Sequence, residues 1–406
     1  MAKPFAAQLS EQRKQAFERL QIPATNRVIL ALDGGGMRGI LTVQLLKKLE
    51  EVAGIPCHAL FDMVSGTSTG AIIAGLIATG HTAAAIEKLY EDLVAEVFDR
   101  RFLGSRFLNP PAYSKEKYRG LLRNIIKDIS LEEACRSTDV DMMITSKDMS
   151  AAEETFFSCF NQGDGSYYGT YKEVLLRAVL EATMSAPTYF HPLERFVDGG
   201  TTTYNNPSLA ALMEAVSYSR ADKDYTKSAY QMGHITLFSF GTGIARQFIQ
   251  PDATINPKGI DIAFWLDWLM TEIGQDASAM QIDTLRSPML QAFVDYRRFQ
   301  ISLDPPAIAK LPNTNALDPE KYGSVWLHDL DEHTLGNIDM ADVTRFDLMQ
   351  VIGRQMAEFI MSSGNGFTTD LVQRKGGRDI LVSAFGDIER IRIQLKDKQW
   401  LDNFIP

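Results

Sequence analysis

The chain predicts an α/β fold, with a mainly parallel sheet flanked by helices and a largely helical C-terminal portion. Three observations carry this. Short apolar runs alternate with helical patterns through the first hundred or so residues. Two of those runs, Arg27–Leu32 and the one ending at Gly66, stop at glycine-rich turns that open directly into helices. Further strand-like runs recur at Val140–Thr145, Glu154–Phe160 and His234–Phe240. A strand–loop–helix–strand–turn–helix order places successive strands side by side and parallel, with the helices on the sheet faces.

Taken in order, Ser10–Leu20 reads as a short polar helix that Pro23-Ala-Thr-Asn26 ends. Arg27-Val-Ile-Leu-Ala-Leu32 is a buried strand, bounded on its far side by Asp33-Gly-Gly-Gly-Met-Arg-Gly39. Ile40–Val52 is a helix with apolar positions at Leu41, Leu45, Leu46 and Leu49, closed by Gly54. The next strand runs into Gly66-Thr-Ser68-Thr-Gly70, and a helix begins at Ala71. From Met63 to Ile86 there is no acid, Lys or Arg, a length that would span a bilayer. Its opening residues are turn formers, so it reads as a helix buried on all sides within an α/β protein. Ala263-Phe-Trp-Leu-Asp-Trp-Leu-Met270 has Trp265 and Trp268 at helical spacing, as core helix or lid. Thr344–Met361 is amphipathic, and Pro305-Pro306 and Leu311–Pro319 read as loop.

At 406 residues the chain exceeds the roughly 250–300 at which one core stops growing. We expect a catalytic core over 28–211. The remainder, 212–406, would complete the sheet and add helices, with room for a lid or regulatory region. A net charge of −10 argues against general binding to a nucleic-acid polymer and leaves room for a local basic pocket. Within this acidic chain, Arg100–Lys127 holds eight Lys and Arg against Glu116 alone, as a solvated helix face or a lip for anionic headgroups. Cys57, Cys135 and Cys159 are scattered, which suits a reducing compartment, and the N-terminus lacks a secretory apolar run. The expected address is the cytoplasm.

Gly66-Thr-Ser68-Thr-Gly70 fits G-x-S-x-G, in which a strained strand-to-helix turn thrusts a serine outward. Gly66 and Gly70 are needed because a Cβ would strike neighbouring backbone. The helix N-terminus then lies where an oxyanion would form. In Asp33–Gly39, three successive glycines bare their amides as an anion-binding nest, and Arg38 adds charge or braces the loop. The same letters fit the dinucleotide fingerprint through Gly34, Gly36 and Gly39, with Glu50 or Glu51 as the ribose acid, so this loop alone serves two chemistries. Asp198-Gly199-Gly200 places a carboxylate in a tight turn after Phe196-Val197. Ser68 needs a base. Of six histidines His191 has the best context, and His58 and His81 flank the elbow. A lone carboxylate serves if burial raises its pKa, and Asp198 is that candidate.

These three stretches, in this order, resemble the patatin-like phospholipases. So do Ser185-Ala-Pro-Thr-Tyr-Phe190, Asn205-Asn-Pro-Ser208 and Ser239-Phe-Gly-Thr-Gly243. The match covers roughly Val28–Gly243 and continues more loosely through Tyr296-Arg-Arg-Phe-Gln300 and Ile338–Met361. The resemblance implies a nucleophile-elbow hydrolase of lipid acyl esters. Ser68 would be its nucleophile and Asp198 its proton acceptor. The amides of Gly34, Gly35 and Gly36, aided by Arg38, would form the oxyanion hole, with Gly39, Gly66, Gly70, Gly199 and Gly200 as motif residues. Gly200 stands where many members have alanine, a mild departure. The implied mechanism needs no metal or cofactor, and its substrate is phospholipid at a membrane surface. Some bacterial members are antiphage effectors switched on by cyclic dinucleotides, which implies such an activator here. A nucleotide-binding α/β protein and a silent patatin-like binding module are the competing readings. The sequence leaves the oligomeric state open.

Overall fold

The computed structural model describes residues 9–97, 113, 115–160, 171–223, 225–245, 262–336, 338–362, 366–368 and 399, with backbone alone for 262–273. Its centre is a seven-stranded sheet of β1 (Arg27–Leu32), β2 (Met63–Gly66), β3 (Asp141–Asp148), β4 (Glu153–Ser158), β5 (Phe196–Asp198), β6 (Ile235–Phe240) and β7 (Val294–Phe299). The order is β4-β3-β2-β1-β6-β7, and β5 pairs with β3. The pairs β1–β2, β1–β6, β2–β3 and β6–β7 are parallel, whereas β4 and β5 run antiparallel to β3. The sheet is therefore mainly parallel. The chain leaves β1 towards β2 on one side and returns to β6 on the other, so the strand order reverses at β1. In open α/β sheets, ligands bind beyond the carboxyl ends of the strands at such a point.

Every residue of β1 is buried, as a central parallel strand covered on both faces requires. The helix Gly39–Ala53 ends at Gly54 in the left-handed conformation. The helix after the elbow, Thr69–Ala78, is buried at all ten positions and packs on β2 and β3. Its uniform apolarity reflects burial inside the protein. Among the described residues no helix is long and apolar enough to cross a membrane.

The second half joins the same sheet. Phe240 and Phe299 stack at 5.2 Å between centroids, and Phe367 caps both rings. The helix Phe346–Ser362 lies against Gly39–Ala53, so closely that a Cβ on Gly353 would come within 2.9 Å of the Leu41 Cα.

One expectation fails in detail, and one strand escaped the sequence reading. Tyr296-Arg-Arg-Phe lies on β7, at the end of the strand order, although two arginines in four residues do not read as a strand. Both are buried because each guanidinium finds partners: Arg297 donates to the Leu20, Gln21 and Phe367 carbonyls and to Asp295, and Arg298 to Asp33 and Ser239. Pro305–Ile308 is a short helix capped by Asp304, since a proline at the first helical position lacks the N–H that would otherwise go unpaired.

Candidate active site

Ser68 sits between β2 and the helix Thr69–Ala78 with φ +53° and ψ −123°, a left-handed conformation unusual for a residue with a Cβ. The turn is tight enough that a Cβ on Gly66 would collide with the Gly70 backbone, and one on Gly70 with the Leu32 and Asp33 carbonyls. The Ser68 amide donates to Thr183 Oγ1 at 2.9 Å. The hydroxyl donates to Asp198 Oδ2 at 2.7 Å, with Met184 Sδ at 3.5 Å.

Strand register explains how residues 130 positions apart meet. Gly66 is level with Ile144 on β3, and two residues on, Ser146 is level with Asp198 on β5. Two residues beyond Gly66 is Ser68. Asp198 is 4% exposed, and its other oxygen accepts the Gly200 amide at 2.7 Å. Burial pushes its carboxyl up to about 6, against the opposing pull of the Ser68 hydroxyl and the Gly200 amide. Gly199–Thr201 form the short 3-10 turn that presents that amide.

The glycine loop adjoins this pair. The Gly34 amide donates to the Asn205 carbonyl at 3.2 Å, which corrects the expectation that all three glycine amides stand bare. Among the described residues, the amides of Gly35 and Gly36 have no hydrogen-bond partner. Gly36 has φ +58°, and its carbonyl accepts from the buried Tyr90 hydroxyl. Gly39 starts the following helix.

Residues 30–212 match the patatin-like phospholipase family. The cGAMP-activated phospholipase of Escherichia coli (strain TW11681) is 30% identical over 212 residues, covering 48% of this chain and 58% of that protein. The cUMP-AMP-activated phospholipase of Escherichia coli is 30% identical over 207 residues, covering 48% and 61%. The 85/88 kDa calcium-independent phospholipase A2 of Mus musculus is 32% identical over 232 residues, covering 52% and 27%. The match spans less than two thirds of each relative's own length. Among solved structures, human GIVD cytosolic phospholipase A2 covers 90% of this chain and 64% of its own at 11% identity, with a TM-score of 0.43.

Around Ser68 and Asp198 the remaining candidates fall into place or out of it. Arg38 is a turn away, and its Nε is buried with no partner among the described residues. Desolvation lowers its pKa, opposed by the charges of Asp339 and Tyr189. His191 is exposed, and no histidine bonds Ser68 among the described residues. His81 instead meets Thr79 and the Leu76 carbonyl. Glu50, the ribose acid of the dinucleotide reading, accepts the amides of Cys57 and Ala83 with both oxygens. Of the basic stretch, Lys115 and Arg119 pair with Glu181, whose helix Leu176–Thr183 carries the threonine that accepts the Ser68 amide. Residues 100–112 and 114 of that stretch, and the Trp265 and Trp268 side chains, lie outside the described residues. Sequence reasoning missed Thr183 and Thr242. Thr183 stands in no motif, and Thr242 lies in Ser239–Gly243 without a role having been read for it, yet Thr242 Oγ1 donates to the Gly34 carbonyl at 2.9 Å.

Proposed function

We propose that this chain is a lipid acyl hydrolase of the phospholipase A type, acting through Ser68 and Asp198. The observation that carries the reading is the 2.7 Å hydrogen bond from a strained serine hydroxyl to a buried carboxylate, beside a glycine loop and a helix N-terminus. Asp198 takes the hydroxyl proton as Ser68 Oγ attacks the ester carbonyl carbon. The amides of Gly35 and Gly36 receive the developing oxyanion, with the positive end of the helix dipole behind it. The intermediate collapses, the proton on Asp198 passes to the departing alcohol oxygen, and an acyl-enzyme remains. Water then loses a proton to Asp198 and attacks the acyl carbonyl. The fatty acid leaves and Ser68 regains its proton. A carboxylate held near pKa 6 suits this alternation better than one at the ordinary value.

The test is incubation with mixed phospholipid vesicles, with products read by mass. Fatty acid plus lysophospholipid supports the reading. Intact lipid, together with no fluorophosphonate labelling at Ser68, defeats it. On this reading the protein works from the cytoplasm on the membrane surface.

A second layer is gating by a cyclic dinucleotide, favoured by two relatives that are named for activation by cGAMP and cUMP-AMP. In that case the chain is an antiphage effector whose lipase stays silent until the nucleotide arrives. Lipid hydrolysis with and without a panel of cyclic dinucleotides decides it, and equal rates in every case discard the gate.

A further inference from the structure

We infer that Arg298, on β7 and beyond residues 30–212, is a positioning residue for the glycine loop. It holds Asp33, and through Asp33 it sets where the Gly35 and Gly36 amides point. This rests on the hydrolase reading of the site. Three glycines in a row have no side chains with which to fix themselves, so their conformation is imposed from outside. The register carries Arg298 there: Ala31 on β1 is level with Ser239 on β6, and Ser239 with Arg298 on β7. From that level the guanidinium donates to both Asp33 oxygens, at 2.7 and 2.5 Å, and to Ser239 Oγ at 2.7 Å. Arg298 is 1% exposed and Asp33 4%. A two-pronged guanidinium–carboxylate contact fixes the plane of the carboxylate as well as its place, which a lysine cannot do.

Two more anchors of the loop come from beyond residue 212. They are the Thr242 hydroxyl on the Gly34 carbonyl at 2.9 Å and the Met340 carbonyl, which accepts the Met37 amide at 2.7 Å. Three of the contacts that hold the oxyanion loop, from Arg298, Thr242 and Met340, therefore come from outside residues 30–212, beside those of Tyr90 and Asn205 within them. The neighbouring Arg297 supplies the contrast. It is equally buried, but successive strand residues face opposite ways, and its bonds run to the Leu20, Gln21 and Phe367 carbonyls and Asp295 instead.

The test uses the full chain with a p-nitrophenyl ester and a trifluoromethyl ketone, which adds Ser68 to form a tetrahedral oxyanion. Removing an oxyanion donor outright costs about 10²–10³ in kcat, and a displaced loop should cost about 10–100-fold. For Arg298→Lys we expect that loss in kcat, with KM little changed. Ketone affinity should fall in step with kcat/KM, and the acid limb of the pH profile should stay in place. Arg297→Lys should lower the melting temperature yet leave kcat and ketone affinity of the folded protein as they were. If Arg298→Lys does not fold, the paired Asp33→Asn/Arg298→Gln variant, which buries no charge, is read the same way. Wild-type kcat in either folded variant, or a kcat loss with ketone affinity intact, overturns the positioning role while leaving the hydrolase standing. A wild-type protein that neither turns over ester nor takes a fluorophosphonate at Ser68 overturns both.

Discussion

Asp148 and Asp198 lie on the same pair of strands, two residues apart in register, and both are buried. Their surroundings could hardly differ more. Asp148 accepts the amides of Ser150 and Ala151 at 2.8 and 3.2 Å and the Arg195 guanidinium at 2.6 Å. Burial acts upward on it, but those donors together hold it below the usual carboxylate range. Asp198 has one amide and one hydroxyl, and burial lifts it to about 6. One carboxylate has its charge fully answered and braces a turn. The other is left short of donors, and the missing stabilisation makes it able to take a proton. A buried acid becomes a base candidate through the partners it lacks.

The sharpest way to break this contrast is to remove the pair it assigns to chemistry. Ser68→Ala and Asp198→Asn should each lower phospholipid hydrolysis by about 10⁴-fold or more, by analogy with other serine hydrolases. Near-normal turnover by a folded Asp198→Asn protein would defeat the assignment. Asp148→Ala should instead cost roughly 1–2 kcal/mol of stability, because the part-buried amides of Ser150 and Ala151 lose their acceptor. Its specific activity should stay unchanged, as checked by denaturant melts alongside turnover per folded molecule. With Asp198 as base, kcat/KM should fall about tenfold per pH unit below its value of about 6 and level off above it. A profile flat down to pH 4.5 would count against it.

The smallest effect has the opposite sign. A carboxyl whose folded pKa is raised contributes stability that is full below its ordinary pKa and lost as pH rises through about 6. Asp198→Asn should therefore be more stable than wild type at pH 7, by about 1–3 kcal/mol, with the gain gone near pH 4. For Asp148 the sign reverses: its contribution is present above the ordinary carboxylate range and lost as pH falls through its depressed value. Equal stability of Asp198→Asn and wild type at pH 7 would show that the site does not strain its acid.

The elbow and the glycine loop were legible because their constraints are local. Gly66 and Gly70 are required by backbone within a few residues or on the next strand, and Ser68 by a turn that only such spacing forms. Asp198 was legible as a residue type in a turn, though its place beside Ser68 comes from β2–β3–β5 register. What escaped is non-local. Arg297 and Arg298 hide a strand, since two guanidiniums read as solvent-facing until Asp33 and the carbonyls of Leu20, Gln21 and Phe367 are brought to them. The engaged Gly34 amide escaped for the same reason, because Asn205 reaches it across the fold.

By itself, then, the order of residues determined the two turns, the helices they open and the chemical types gathered for catalysis, since short-range sterics and apolar periodicity act within a few residues. Tertiary structure alone decided which amides stay bare, how far Asp198 is raised and which distant arginine steadies the loop. Those depend on desolvation and on partners delivered by strand pairing, and neither exists until the sheet is assembled.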